Sequence, residues 1–455
     1  MNSTHLTETT PTSLQALTAE TVEFLSRLLR VNTTNPPGNE LPAILLIRDH
    51  LAANGFLPEN IQILESGPNR ANLIVRLPGD GSQRPLMLSG HVDVVPVEPE
   101  RWEHDPFGSE VIDGEIWGRG ALDMKGFVAM YLEAFLHAFR QKLPLKRDLI
   151  FAAIADEEAG FSYGSKYLVD HYRSLIDAEY AITEGGAMTI HMGKMRLYPI
   201  QVAEKGITWL KMSAQGQPGH GSMPHRDNAV LHLAQAIESI RRAGRMPVHL
   251  TPTFSSMLAT LSSQLGFPMG TILSLLGSQA LIGMLVKALP EKNSRMIAPM
   301  LSNTVTPTVL HAGSKTNVIP SSAEVHLDCR MLPGQTPESV MQEIYQVTGR
   351  QVKLEILTTS AGTQFSVETP FYKLLERATR EMDPGGLVIP MMNPGATDAS
   401  EYQRAGISVY GFPPGILPPD YPLVDLGHGH NERLPVSFIE SGLPVLINVI
   451  REFCG

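Results

Sequence analysis

Six positions between His91 and His428 carry side chains that could together hold metal ions and activate water. They are His91 in Ser89-Gly90-His91-Val92-Asp93, Asp123 in Gly120-Ala121-Leu122-Asp123-Met124-Lys125-Gly126, the pair Glu157-Glu158 after Asp156, Glu184 in Thr183-Glu184-Gly185-Gly186, and His428 in Leu426-Gly427-His428-Gly429-His430-Asn431-Glu432. Mixed imidazole and carboxylate ligands suit divalent zinc, and two such ions can activate water against an amide. Taken singly, each position has a plainer account. An Asp-Glu-Glu run is ordinarily a solvated turn, a lone histidine after an apolar strand is ordinarily structural, and Asp123 could cap the helix that follows it.

The elements that must position these groups are legible in the periodicity. Leu14 to Leu29, Glu40 to Asn54 and Met124 to Phe139 have helical patterns. Apolar, strand-like runs cover Ile61 to Leu64, Asn72 to Leu77, Pro85 to Val95, Leu149 to Ala155 and Ala178 to Thr183, with a helix expected over Gly164 to Tyr172. Strands alternating with helices indicate an α/β sheet covered by helices. His91, Glu157 and Glu184 fall at or near the ends of apolar runs, where open α/β sheets place their sites.

A different texture begins at Glu204. Strands are expected over Gly206 to Ala214, Val305 to Ala312, Ala323 to Met331 and Val352 to Thr358, with helices over Asn228 to Ala243 and Pro337 to Thr348. The resulting β-α-β-β-α-β order describes a ferredoxin-like domain. The sheet pattern of the first domain resumes at Val388-Ile389-Pro390, so the second domain is inserted into it. The expected boundaries are 1–203 and 361–455 for the first domain and 204–360 for the inserted one. Residues 246–304 form an apolar insertion within the latter.

The motifs, in this order, resemble the M20 family of dizinc amidohydrolases and peptidases, which includes aminoacylases, acetylornithine deacetylase, succinyl-diaminopimelate desuccinylase and carboxypeptidase S. The resemblance runs from about residue 20 to the C-terminus. It implies an α/β catalytic domain with a mixed central sheet flanked by helices, plus an inserted ferredoxin-like (α+β) lid and dimerisation domain. It also implies two Zn2+ ions (Co2+ or Mn2+ suit similar ligands). His91 and Glu184 would hold one ion, Glu158 and His428 the other, and Asp123 would bridge them. Glu157 would be the general base, and Asp93 would fix the tautomer of His91. His430 competes with His428, which is preferred because it lies three positions before Asn431 in the family motif. Elementary chemistry agrees with this division. Two cations about 3.5–4 Å apart repel, and a bridging carboxylate offsets the repulsion. If Glu158 gives its charge to a metal, Glu157 is left beside the bound water to take its proton.

In the inserted domain, Gly216-Gln217-Pro218-Gly219-His220-Gly221-Ser222 matches the family segment whose histidine comes from the partner subunit. The resemblance thus implies a homodimer with His220 supplied in trans to the developing oxyanion. Asn317 would sit near the substrate carbonyl, Arg330 would hold the substrate carboxylate in a bidentate fork, and Gly395 belongs to a loop that offers backbone to substrate. Cys329 reads as packing. Within that family Glu at the position of Glu184 is typical of deacylases and carboxypeptidase-like members, so the resemblance implies an N-acyl amino acid or a short peptide cleaved at its C-terminal residue. The alternatives are a dipeptidase of the same family and a binding protein that has kept the fold without catalysis.

Composition narrows the classes further. A hydrophobic content of 43% with 18% charged residues is ordinary for a globular protein. A formal charge of −10 argues against a nucleic-acid partner. Two cysteines make no disulfide framework and fit a reducing, cytoplasmic setting. Met1 to Ser13 has no signal-peptide pattern. No Asp, Glu, Lys or Arg occurs from Met246 to Val286. The densest apolar part, Thr271 to Val286, is shorter than the roughly 18–20 residues of a membrane span. Leu258, Leu261, Leu265, Ile272, Leu275, Leu276, Leu281, Ile282, Leu285 and Val286 are too many apolar residues for a solvated loop. They could serve core or dimer packing, wall an acyl group, or touch a membrane surface.

Overall fold

A computed structural model describes residues 13–268, 270, 271, 274, 278, 281–284 and 297–455. Residues 1–12, and Ile272, Leu275, Leu276, Leu285 and Val286 of the insertion, lie outside the described residues. The chain divides into two compact units. The first runs to Ile200 and takes up Ser366–Val388 and Glu401–Gly455; the second comprises Gln201–Phe365 and Ile389–Ser400.

The first unit is built on a mixed sheet. Six neighbouring strands of this sheet, which is ten-stranded among the described residues, are β1 (Ile61–Gly67), β2 (Arg70–Leu77), β3 (Gln83–His91), β4 (Arg147–Ile154), β5 (Tyr180–Thr183) and Ser408–Gly411. The order is β1-β2-β4-β3-β5-Ser408–Gly411. β1 and β2 pair antiparallel, as do β2 and β4, whereas β4, β3, β5 and Ser408–Gly411 run parallel. Parallel strands buried on both faces need near-continuous apolar sequence. β4 supplies it, with Leu149 to Ile154 all buried. The helix Lys125–Arg140 crosses behind β3 and β4 and packs on Leu14–Leu29 and Val436–Cys454. Ser13 caps Leu14–Leu29 by accepting from the Ala16 N–H at 3.2 Å. That helix buries Leu17, Phe24, Leu25, Leu28 and Leu29, while Leu14, in its first turn, stays exposed.

The second unit has the expected β-α-β-β-α-β order. Its strands are β6 (Gly206–Gln215), β7 (Thr304–Ala312), β8 (Ser322–Met331) and β9 (Lys353–Ser360), arranged β7-β8-β6-β9 and antiparallel throughout. Along β6 alternate residues are buried, so Leu210, Met212 and Ala214 face a core shared with helices Ala229–Ala243 and Pro337–Thr348. In the insertion, Thr251 caps helix Pro252–Leu265 by accepting from the Phe254 N–H at 3.2 Å. Phe254, Leu258, Ile282, Ala298 and Leu301 form a small core of their own. Among the described residues no helix is long and apolar enough to cross a membrane.

Candidate metal centre

Three parallel strands deliver the first groups of the site to one edge of the sheet. β3 ends at His91. β4 ends at Ile154, and the chain turns at Asp156 (φ +65°) into Glu157 and Glu158. β5 ends at Thr183, immediately before Glu184. Because β4, β3 and β5 are neighbours in parallel register, their carboxyl ends converge. Asp123 and His428 arrive from two loops held together by one buried carboxylate. Glu432 accepts from the backbone N–H groups of Gly120 (3.0 Å), Leu122 (2.8 Å) and Asp123 (2.9 Å), and from Arg119 Nη1 at 2.6 Å. Arg119 then donates to the Gly429 carbonyl at 2.8 Å.

Two groups of donor atoms share Asp123, and a third, His91-Glu157-Glu158, overlaps them. His91 Nε2 lies 3.2 Å from Asp123 Oδ1 and 3.8 Å from Glu184 Oε2. His428 Nε2 lies 3.1 Å from Asp123 Oδ2 and 3.1 Å from Glu158 Oε2. Each carboxylate oxygen of Asp123 therefore serves a different imidazole. Glu157 Oε2 stands 4.0 Å from His91 Nε2. Ligands about 2.1 Å from a tetrahedral zinc are about 3.4 Å from one another, so both groups have spacings that fit a cation. The Glu158 Oε1 atom points the same way: it is buried and has no hydrogen-bond partner. An orphaned carboxylate oxygen is expensive unless a cation faces it. His430 joins neither group; its Nε2 lies 3.4 Å from Arg101 Nη1.

The electrostatics carry the same message. Hydrogen bonding to Asp123 and Glu158 raises the His428 pKa to about 10. Burial opposes a charge on His91, but Glu184, Asp123 and Asp93 outweigh it and raise its pKa well above the usual imidazole value. Burial would also raise Asp123, yet the two imidazoles hold it well below the usual carboxylate range. Burial pushes Glu158 up to about 7. Crowded carboxylates thus favour positive charge in the cluster, which a bound cation would supply.

Asp93 braces the arrangement from behind. Its carboxylate accepts the backbone N–H groups of Glu157 and Glu158, both at 3.1 Å, and lies 3.5 Å from His91 Nδ1. Its backbone carbonyl is 3.0 Å from the same nitrogen. Asn35, Arg119 and Glu432 also shape the site, though no motif in the sequence marks that role. Glu432 was visible only as the last letter of the His428 motif, and its partners lie some 310 positions away. No local signal marks such a contact.

The sequence matches peptidase family M20/M25/M40 over residues 87–452. The chain belongs to this family. It is 28% identical over 381 residues to an N-fatty-acyl-amino acid synthase/hydrolase, PM20D1, of Xenopus tropicalis, covering 82% of this chain and 73% of that one. Aminoacylase-1 of Sus scrofa is 24% identical over 439 residues, covering 94% of each. Among solved structures, an M20 family metallo-carboxypeptidase of Sulfolobus solfataricus superposes with a TM-score of 0.70 at 17% identity, over 95% of this chain and 98% of that one. The fold is that of the M20 peptidases, and the chain is a hydrolase of this family, acting on amide or peptide bonds.

The remaining residues singled out in this M20 chain lie in its second unit. His220 is exposed on a two-stranded ribbon in which Gly219–His220 pairs with Val318–Ile319. Its Nδ1 lies 2.8 Å from Ser222 Oγ. The Gly221 N–H donates to the Asn317 carbonyl at 2.8 Å, so the ribbon brings His220 and Asn317 together. Arg330, on β8, is held by Asp328 through Nε (2.9 Å) and Nη2 (3.2 Å). The Gly395 N–H donates to Asn393 Oδ1 at 2.9 Å in a tight turn. Cys329 is fully buried in the core, and burial lifts its thiol to about 12, which suits packing rather than reactivity.

Proposed function

We propose that this chain hydrolyses the amide bond of N-acyl amino acids, or removes a C-terminal residue from short peptides, at a pair of divalent metal ions. The observation that carries it is the pair of donor groups meeting at Asp123. His91 and Glu184 would hold one ion, Glu158 and His428 the other, with Asp123 between them; zinc is the favoured metal. Such ions supply an acidified water and a polarised carbonyl.

The chain's own groups do the rest. Glu157 takes the proton of the attacking water and returns it to the departing nitrogen. Asp93 holds His91 in one tautomer and keeps the Glu157-Glu158 backbone in place. His220, from the partner subunit of a homodimer, donates to the developing oxyanion. Asn317, next to it on the ribbon, orients the carbonyl. Asp328 fixes the plane of Arg330, so that the guanidinium can receive a substrate carboxylate. Gly395 offers backbone to the substrate.

Two facts favour a long acyl chain. The Xenopus relative is named for N-fatty-acyl amino acids, and this chain carries an uncharged stretch from Met246 to Val286. The test is release of free amino acid from N-acyl amino acids of increasing acyl length and from dipeptides, using metal-free protein with and without added zinc. Zinc-dependent turnover with kcat/KM rising from acetyl to long acyl groups is expected. A flat or falling series removes the long-chain assignment, and faster cleavage of free dipeptides replaces it with a dipeptidase.

A further inference from the structure

Behind the Glu157-Glu158 pair lies a run of buried charged groups of which only Asp93 has a part in the steps above. Asp156 Oδ1 accepts from Arg70 Nη2 and from Asn35 Nδ2, each at 2.9 Å, and Oδ2 accepts the Tyr163 N–H at 3.0 Å. Arg70 also grips Glu40 through Nε (3.0 Å) and Nη2 (2.5 Å), and its guanidinium lies 4.5 Å from the centroid of the Tyr163 ring. Asn35 Nδ2 reaches on to Asp93 Oδ2 at 2.8 Å, and Asp93 holds the Glu157 and Glu158 N–H groups. Glu40, Arg70, Asp93 and Asp156 are all buried.

Stability is a poor reason for this run. Buried ion pairs often lose as much in desolvation as they gain in attraction. What the run does supply is geometry. The segment from Asp156 to Gly164 contains Gly160 at φ +117° and is exposed from Ala159 to Gly160. It must nevertheless present two adjacent carboxylates in different roles. β2 is an interior strand of the sheet, paired on both edges, and it gives the segment a fixed reference. Asn72 on β2 ties the two ends, accepting from the Ala155 N–H at 3.0 Å and donating to the Tyr163 carbonyl at 2.8 Å. Arg70 on β2 grips it at Asp156 and under the Tyr163 ring. A planar fork can bond two carboxylates and stack on a ring at once, which an ammonium cannot.

We infer that Arg70 is a positioning residue: acting from β2 through Asp156 and Tyr163, it sets where Glu157 and Glu158 point. This rests on Glu157 as base and Glu158 as metal ligand. The test compares Arg70→Lys with the double variant Glu40→Gln/Arg70→Met, which leaves no isolated charge at Glu40 and leaves Asp156 with Asn35 and the Tyr163 N–H as partners. Tyr163→Leu removes only the ring. Each is loaded with cobalt(II), and kcat, KM and the visible absorption of the bound cobalt are recorded beside Glu157→Gln. The expected result is a fall in kcat of about 10- to 100-fold for the Arg70 variants, with KM within about two-fold and an altered cobalt band. Arg70→Lys should retain more activity than the double variant. Folded Arg70 variants with unchanged kcat and an unchanged cobalt band overturn the inference. An active Glu157→Gln variant strikes instead at the assignment of the base, and the cobalt band then still decides whether Arg70 governs Glu158.

Discussion

Glu157 and Glu158 are neighbours in sequence but differ in surroundings. Glu158 lies 3.1 Å from His428 and keeps one oxygen buried without a partner, whereas Glu157 comes no closer than 4.0 Å to His91. Glu157 also belongs to a donor triplet with His91 and Glu158, so its longer spacing to the imidazole, not isolation from the donors, is what suits it to proton transfer. Glu157→Gln keeps the size and most of the shape while removing the basic oxygen. Two metals per chain by elemental analysis, with turnover lowered by about 10²- to 10⁴-fold, is the expected outcome. Surviving turnover would move the base to another residue. At this scale the sequence was informative because each donor sits in a short motif. The family motif prefers His428 to His430, and the loop, with φ +58° at His428, sets His428 Nε2 3.1 Å from Asp123 and leaves His430 beside Arg101.

Among the elements, the three parallel strand ends were legible because buried parallel strands are continuous apolar runs, and a run must stop where a polar group appears. The loop that carries Asp123 was not. Its shape comes from Glu432, which reaches in from the far end of the chain to accept from the loop amides of Gly120, Leu122 and Asp123 and from the buried Arg119 guanidinium. Burial raises the pKa of Glu432, and Arg119 and the loop amides counter it. Helix Pro252–Leu265 does carry a local signal, with Phe254, Met257, Leu258, Leu261 and Leu265 at helical spacing after the Thr251-Pro252 cap, but it is submerged in the long uncharged tract around it. Glu432→Gln puts an amide N–H among backbone donors and leaves Arg119 buried without its counter-charge. Removing one partner of such a pair costs about 3–5 kcal/mol. A loss of that size in denaturant unfolding is expected, together with weaker metal retention on dialysis. A variant as stable as the parent and with full metal content would show that the loop holds its shape without Glu432.

The whole molecule divides its candidate residues between two units: the donor cluster lies in the first, and His220, Asn317, Arg330 and Gly395 in the second. The ferredoxin-like order of the second unit could be read from strand and helix spacing, most clearly at β6 and β8, which bury one face at period two. No spacing can reveal whether His220 serves its own chain or another copy. Two inactive variants can. His220→Ala spoils the donor from the second unit, and Glu157→Gln spoils the base in the first. If His220 acts across a homodimer, a mixed dimer of the two variants contains one complete site: the Glu157 of one chain with the His220 of the other. Random pairing of equal amounts makes about half the dimers mixed, with one good site in each, so about one quarter of the parent activity should return after the two are unfolded and refolded together. If His220 acts within its own chain, every site in the mixture lacks one of the two groups, and activity stays at the level of the separate variants. Recovery therefore requires both a stable dimer and a shared site, and sedimentation of the same mixture shows which is missing if recovery fails.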